Sequence, residues 1–164
     1  AMPATALVIG NPEMQDTAWA LHIKSLAGAL PIMLGDPRKL SEPDLKKYRL
    51  YADWLQQMEN KYSIMSFRQD LAGLGEPKEG SWDGYQRINT DTKAGGIMAV
   101  FRHGAIETKR MVTVNYLLPD KMYQVKKIDG SVVVILSGAD LQTKGFEVAI
   151  NKLYDGEIFE ISGE

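Results

Sequence analysis

Up to about Asn60 the apolar positions fall in short unbroken runs or at helical spacing, and beyond Gly84 they become strand-like. Thr5–Ile9 is a brief apolar run suited to a buried strand. Asn11-Pro12-Glu13 then reads as a helix start, with an Asn oxygen for orphan amides, a Pro for the first turn and a Glu for the dipole. Ala18/Trp19, Ile23 and Leu26/Ala27 carry that helix to Gly28, which supplies a stop. Leu30–Leu34 is a second run free of charge, as a strand covered on both faces requires, and Gly35-Asp36-Pro37-Arg38 breaks it. Ser41-Glu42-Pro43-Asp44 opens a second helix that runs to about Asn60. Leu45, Tyr48, Ala52, Leu55 and Met58/Glu59 recur at its helical spacing, while Lys46, Lys47, Arg49, Asp53 and Gln57 populate the outer face. Strand–helix–strand–helix is the grammar of a parallel α/β layer, yet two strands are too few for a stable parallel sheet.

Leu71–Asp83 is rich in glycine and without periodicity, and reads as a connector. After it come strand candidates at Tyr85–Asn89, Ile97–Arg102, Arg110–Leu117, Met122–Lys127, Val132–Leu136, Phe146–Ile150 and Gly156–Ile161. Turn chemistry separates them, and Asp129-Gly130 between two β-rich runs is the strongest hairpin signal. Such close spacing of strands predicts a small antiparallel sandwich.

Composition narrows the function classes. The chain has 164 residues, 45% of them apolar and 24% charged, which suits a globular domain. It has no cysteine, which removes disulfides, thiolate zinc sites and a cysteine nucleophile. A net charge of −2 argues against a nucleic-acid partner held through phosphates. No apolar run approaches the ~18 residues that cross a bilayer, so no membrane partner is expected. Ala1-Met2-Pro3 shows no signal-peptide pattern, and Ala1 ahead of Met2 leaves room for a longer natural protein.

Few residues carry obvious chemistry. His22 and His103 lack any metal-binding pattern, so backbone-bonded polar roles are the simpler reading, and no cofactor or metal is expected. Asp36 directly follows a predicted parallel strand, at the end where α/β proteins place their sites; Arg38 could pair with it or with a ligand oxygen. Turn chemistry is the plainer account of Asp36-Pro37. Ser66–Asp70 brings an arginine and an acid together, for which a surface ion pair is the plain account. Trp82, beside Asp83 and Tyr85, could be a platform on which a sugar stacks, or an aromatic plug sealing the two halves. No carboxylate pair suited to glycoside hydrolysis can be nominated.

Leu30-Pro31-Ile32-Met33-Leu34-Gly35-Asp36-Pro37-Arg38, a helix, Met65-Ser66-Phe67-Arg68-Gln69-Asp70-Leu71-Ala72-Gly73 and a β-rich tail ending Leu153–Ile161 resemble the C-terminal part of α-galactosidase-type (melibiase) glycoside hydrolases. The resemblance implies an α+β chain: residues 1–72 as a short α/β remnant of a (β/α) barrel, 73–84 as connector and 85–164 as an antiparallel β-sandwich. It implies that the catalytic aspartates belong to earlier barrel strands absent from this chain, so no catalytic residue is carried over. Asp36 and Arg38 match the rim of the last barrel strand, where they could contribute to a sugar pocket. The implied partners are a carbohydrate in the intact parent and the remainder of its barrel, in a periplasmic or secreted setting. A severed barrel edge would leave Leu30–Leu34 and Ile64–Phe67 to bury against the sandwich or to meet a second copy in a homodimer. A stand-alone carbohydrate-binding or interaction module is the alternative.

Overall fold

The computed structural model describes residues 6–9, 24–25, 27, 30–33 and 41–164. Strand β1 (Ala6–Ile9) pairs in parallel with β2 (Leu30–Met33), Ala6 opposite Leu30 and Ile9 opposite Met33. The helix expected between them lies outside the described residues except at Lys24, Ser25 and Ala27. Helix α1 (Glu42–Tyr62) begins as expected: the Ser41 hydroxyl accepts from the Asp44 amide, with Pro43 in the first turn. It continues past Asn60 to Tyr62, where Ser63 takes a left-handed cap with φ 55°. Its fully buried residues are Trp54, Leu55, Met58 and Tyr62, a stripe displaced toward the C-terminal half from the one the periodicity suggested. A short 3-10 turn (Ile64–Ser66) follows.

The rest of the chain is antiparallel. Strands β3 (Gln69–Asp70), β4 (Ser81–Ile88), β5 (Gly95–His103), β7 (Met122–Lys127), β8 (Val132–Ser137) and β10 (Tyr154–Gly163) form a six-stranded sheet in the order β3-β4-β5-β10-β7-β8. Strands β6 (Lys109–Val112) and β9 (Phe146–Ala149) pair separately, Lys109 opposite Ala149. Helix α2 (Gly138–Thr143) was not among the expected elements. Its signal was nonetheless present, because Ser137 caps it by accepting from the Asp140 amide, the same Ser-x-x-Asp device that opens α1.

Two cores share the large sheet. Met98, Val100, Tyr123, Val125, Phe159 and Ile161 belong to a cluster with Val112, Phe146 and Val148 of the β6–β9 pair, which makes the sandwich. Ile97, Ala99, Phe101 and Ile158 cluster instead with Trp54, Leu55, Met58 and Tyr62 of α1. Alternation along β5 therefore feeds two cores at once, and Gly95–Arg102 is buried throughout. Gly156 sits where any side chain would run into the Phe101 ring. The β7–β8 hairpin forms at the predicted turn, with Gly130 at φ 84°.

Two expectations shift. The strand expected from Tyr85 starts at Ser81, inside the stretch without periodicity, because its register is set by β5, Ser81 pairing with His103. The strand expected over Arg110–Leu117 stops at Val112, and Tyr116 takes a φ of 66°, which no extended strand accommodates. Of Ile64–Phe67, Ile64 is completely buried in the α1 cluster.

Candidate functional site

Two carboxylates with partners from the chain itself, Asp83 and Glu160, lie on the α1 side of the sheet. Along β4 the side chains alternate: Trp82, Gln86 and Ile88 turn to the sandwich, while Asp83, Tyr85 and Arg87 turn to α1. The pairing of Trp82 with Tyr85 as one aromatic platform is therefore divided between opposite faces.

Trp82 is 3% exposed, and its indole N–H donates to the Glu107 carbonyl at 3.3 Å. A stacked sugar needs an open ring face, and this ring is enclosed in the sandwich core, so its place in this fold is a packing one. Asp36 and Arg38 lie outside the described residues, as do Trp19 and His22. Arg68 and Asp70 form an exposed ion pair at 3.0 Å. His103, for which a backbone partner was the simpler reading, is instead 2.6 Å from an Asp83 carboxylate oxygen.

The His103–Asp83 pair sits half-buried at one end of β4 and β5. Burial raises the Asp83 carboxyl above the ordinary range, although the hydrogen bond and charge of His103 pull it back. Alongside, Tyr154 donates its hydroxyl to Glu79 at 2.7 Å. Lys24 reaches across from the N-terminal segment to the Asp155 carboxylate at 2.7 Å and the Gly156 carbonyl at 2.6 Å. The Tyr85 hydroxyl donates back to the Ser25 and Ala27 carbonyls at 3.0 and 2.8 Å. These bonds tie the N-terminal segment to the sheet.

Farther along the same face, Glu160 accepts from Lys61 and from the Tyr62 hydroxyl, both at 2.7 Å. Burial acts to raise the Glu160 carboxyl, but those hydrogen bonds and the Lys61 charge outweigh it and hold the group below the ordinary range. A cleft of about 330 Å³ opens between α1 and the β7–β8 hairpin, lined by Lys24, Leu50, Tyr51, Lys127, Ile128, Asp129, Glu157 and Ile158. Burial, then Glu157 and Asp155, push the Tyr51 phenol up to about 12, so it stays protonated and offers a donor there.

Asp83, Asp155 and Glu160 each already accept a hydrogen bond from a basic side chain of the chain itself: His103, Lys24 and Lys61. They act as struts between elements. Among the described residues no group of three or more His, Asp or Glu side chains is placed to hold a metal ion.

Two polar residues escaped the sequence reading. Arg102, 3% exposed, donates to the carbonyls of Ala105, Ile106, Ile150 and Asn151, pinning two loops together. Gln86 is wholly buried and bonds both the amide and the carbonyl of Asn115. The one signal for Arg102 was a charge inside an otherwise apolar strand, and its four acceptors are main-chain groups that no side-chain pattern announces.

No family model and no curated protein matches the sequence. Solved structures do match its shape. The galactosidase domain of the alpha-galactosidase-sucrose kinase AgaSK superposes with a TM-score of 0.75 at 15% identity, over 98% of this chain and 22% of that one. The GH36 alpha-galactosidase AgaB from Geobacillus stearothermophilus gives 0.76 at 14% identity, again over 98% and 22%. The alpha-galactosidase from Lactobacillus brevis gives 0.75 at 12% identity over the same shares. The chain thus has the sheet-rich fold of the C-terminal part of these enzymes and spans about a fifth of their length. At such identities the likeness establishes the fold.

Proposed function

We propose that this chain is the non-catalytic C-terminal portion of a glycoside hydrolase acting on α-galactoside-like carbohydrates, in which it supports the catalytic barrel. One observation carries the reading: nearly the whole chain, from the parallel β1–β2 pair to β10, superposes on a fifth of three alpha-galactosidase structures. In this reading residues 1–72 derive from the last barrel units, 73–84 link them to the rest, and 85–164 form the sandwich. Parallel strands and α1 would complete a barrel supplied by the rest of the parent. The bonds from Lys24 to Asp155 and from Tyr85 to the 25–27 carbonyls would brace that barrel on the sheet. Asp36 and Arg38 would border the sugar pocket of the intact enzyme. A periplasmic or secreted setting accords with an enzyme of oligosaccharides, and no described helix is long and apolar enough to cross a membrane.

The test compares the product of the complete natural reading frame with the 164-residue chain on p-nitrophenyl α-galactoside. Turnover by the former alone is the expected result, and Asp36→Asn in that product should raise KM more than it lowers kcat. Turnover by the 164-residue chain, or a reading frame with nothing ahead of Met2, would overturn the proposal.

A further inference from the structure

Strand β10 outruns one of its neighbours. It pairs with β5 from Tyr154 to Ser162 but with β7 only from Phe159 to Gly163, because β7 stops at Lys127. The cleft of about 330 Å³ lies at this corner, with Leu50 and Tyr51 of α1, Glu157 and Ile158 of β10 and the chain leaving β7 as its walls. Its floor is anchored: Ile158 is buried in the α1-side core, and Tyr51 and Ile128 pack against the same cluster. A concavity rooted in a core in this way needs no ligand to shape it.

Two of the charges around the cleft are already spent. Lys24 is bonded to Asp155 and to the Gly156 carbonyl, and Asp129 accepts from both the amide and the hydroxyl of Ser131. Three polar groups are not: the Tyr51 hydroxyl, the Glu157 carboxylate and the Lys127 ammonium have no hydrogen-bond or ion-pair partner among the described residues. They present two donors and one acceptor over an aliphatic floor. An anion bound there would be repelled by Glu157 and a cation by Lys127, so a simple ion of either sign suits the site poorly. An apolar ligand would bury all three groups unpaired. A zwitterion can match Glu157 and Lys127, but it gives up the hydration of two charges to do so. A neutral molecule with several hydroxyls meets every requirement, because each hydroxyl both donates and accepts and the C–H groups between them rest on the floor.

We propose that the cleft between α1 and the β7–β8 hairpin binds a saccharide. Glu157 accepts from its hydroxyls, Tyr51 and Lys127 donate to them, and the sugar ring packs on Leu50, Ile128 and Ile158. The choice of an α-galactoside as the saccharide rests on the function proposed above; the complementarity of the cleft to a polyhydroxylated ligand does not. One small ring held by a few hydrogen bonds at an open cleft binds weakly, with a Kd of about 1 mM.

Chemical-shift titration of the 15N-labelled 164-residue chain with methyl α-galactoside, up to about 50 mM, tests this, with leucine titrated in parallel as the zwitterion. The expected result is saturation by the galactoside, with the largest shifts at the amides of residues 50–51, 127–129 and 157–158. Glu157→Ala should weaken binding about tenfold or more and Tyr51→Phe about threefold or more, each with its circular dichroism unchanged. Tyr116→Phe, at an exposed tyrosine outside the cleft, should leave binding as it was. No saturation overturns the proposal, as do shifts centred elsewhere, indifference to both cleft variants, or leucine binding as tightly as the galactoside. Loss of the binding in the product of the complete natural reading frame also overturns it, because the rest of the parent then fills the cleft. Turnover by that product without binding at the cleft removes this site and leaves the proposed function standing. Binding at the cleft without turnover does the reverse.

Discussion

On the sandwich side of the large sheet, Phe146 and Phe159 meet edge to face with centroids 5.4 Å apart. The charge buried on that side, Arg102, is held by main-chain carbonyls. On the α1 side, Ala99, Phe101 and Ile158 share the interface with carboxylates: Asp83 on His103, and Glu160 on Lys61 and Tyr62. The first face depends on apolar rings and on an arginine, none of which titrates between neutrality and the acid range where carboxylates do. The second depends on carboxylates, so its hold on α1 varies with pH. One sheet can thus carry a face of constant stability and a face whose stability is set by proton binding.

The largest effect that would break this contrast is on the dry face. Phe146→Ala should cost about 3–5 kcal/mol by urea denaturation, nearly equally at pH 7 and pH 4. A loss that fades in acid would mean that the two faces are not energetically separate. Next comes Glu160→Gln, which leaves the Tyr62 hydroxyl and Lys61 without their carboxylate and should cost about 1–3 kcal/mol at pH 7. Because the folded Glu160 carboxyl is held low, its contribution is present above the ordinary glutamate range. That contribution is lost as the pH falls through the depressed folded value, so the gap between wild type and variant should begin to narrow below the ordinary glutamate value of about 4.3 and close only below the depressed one. A constant gap down to pH 3 would show that packing rather than charge accounts for the loss.

The smallest effect sharpens the comparison within the polar face. Asp83 is shifted the opposite way to Glu160: burial raises it, so its ionised form opposes folding, and its contribution is larger below the ordinary aspartate range and diminishes as pH rises through the raised value. Asp83→Asn keeps an oxygen for His103 and removes the charge, so stability at pH 7 should change by less than about 1 kcal/mol, toward stabilisation. A cost as large as that of Glu160→Gln would show the His103 ion pair to outweigh the burial of the carboxylate.

The sandwich was legible because its strands alternate and its hairpin is marked by Asp129-Gly130, both local signals. The start of β4 was not, since Ser81–Asp83 has no pattern of its own and becomes a strand by pairing with β5. Trp82 and Tyr85 looked like one aromatic site because they are near in sequence; the pleat sends them to opposite faces. Helix α1 was announced by its cap, but its end was not, because Lys61 and Tyr62 stay helical while bonded to Glu160, almost a hundred residues away.

The sequence by itself determined the helix cap at Ser41, the Asp129-Gly130 turn and the two kinds of periodicity, because capping, turn chemistry and alternation act between neighbours along the chain. Only the tertiary structure decided which face each β4 side chain joins, which carboxylates become struts and where β10 outruns β7. Those outcomes depend on register and burial, which arise between residues far apart in sequence.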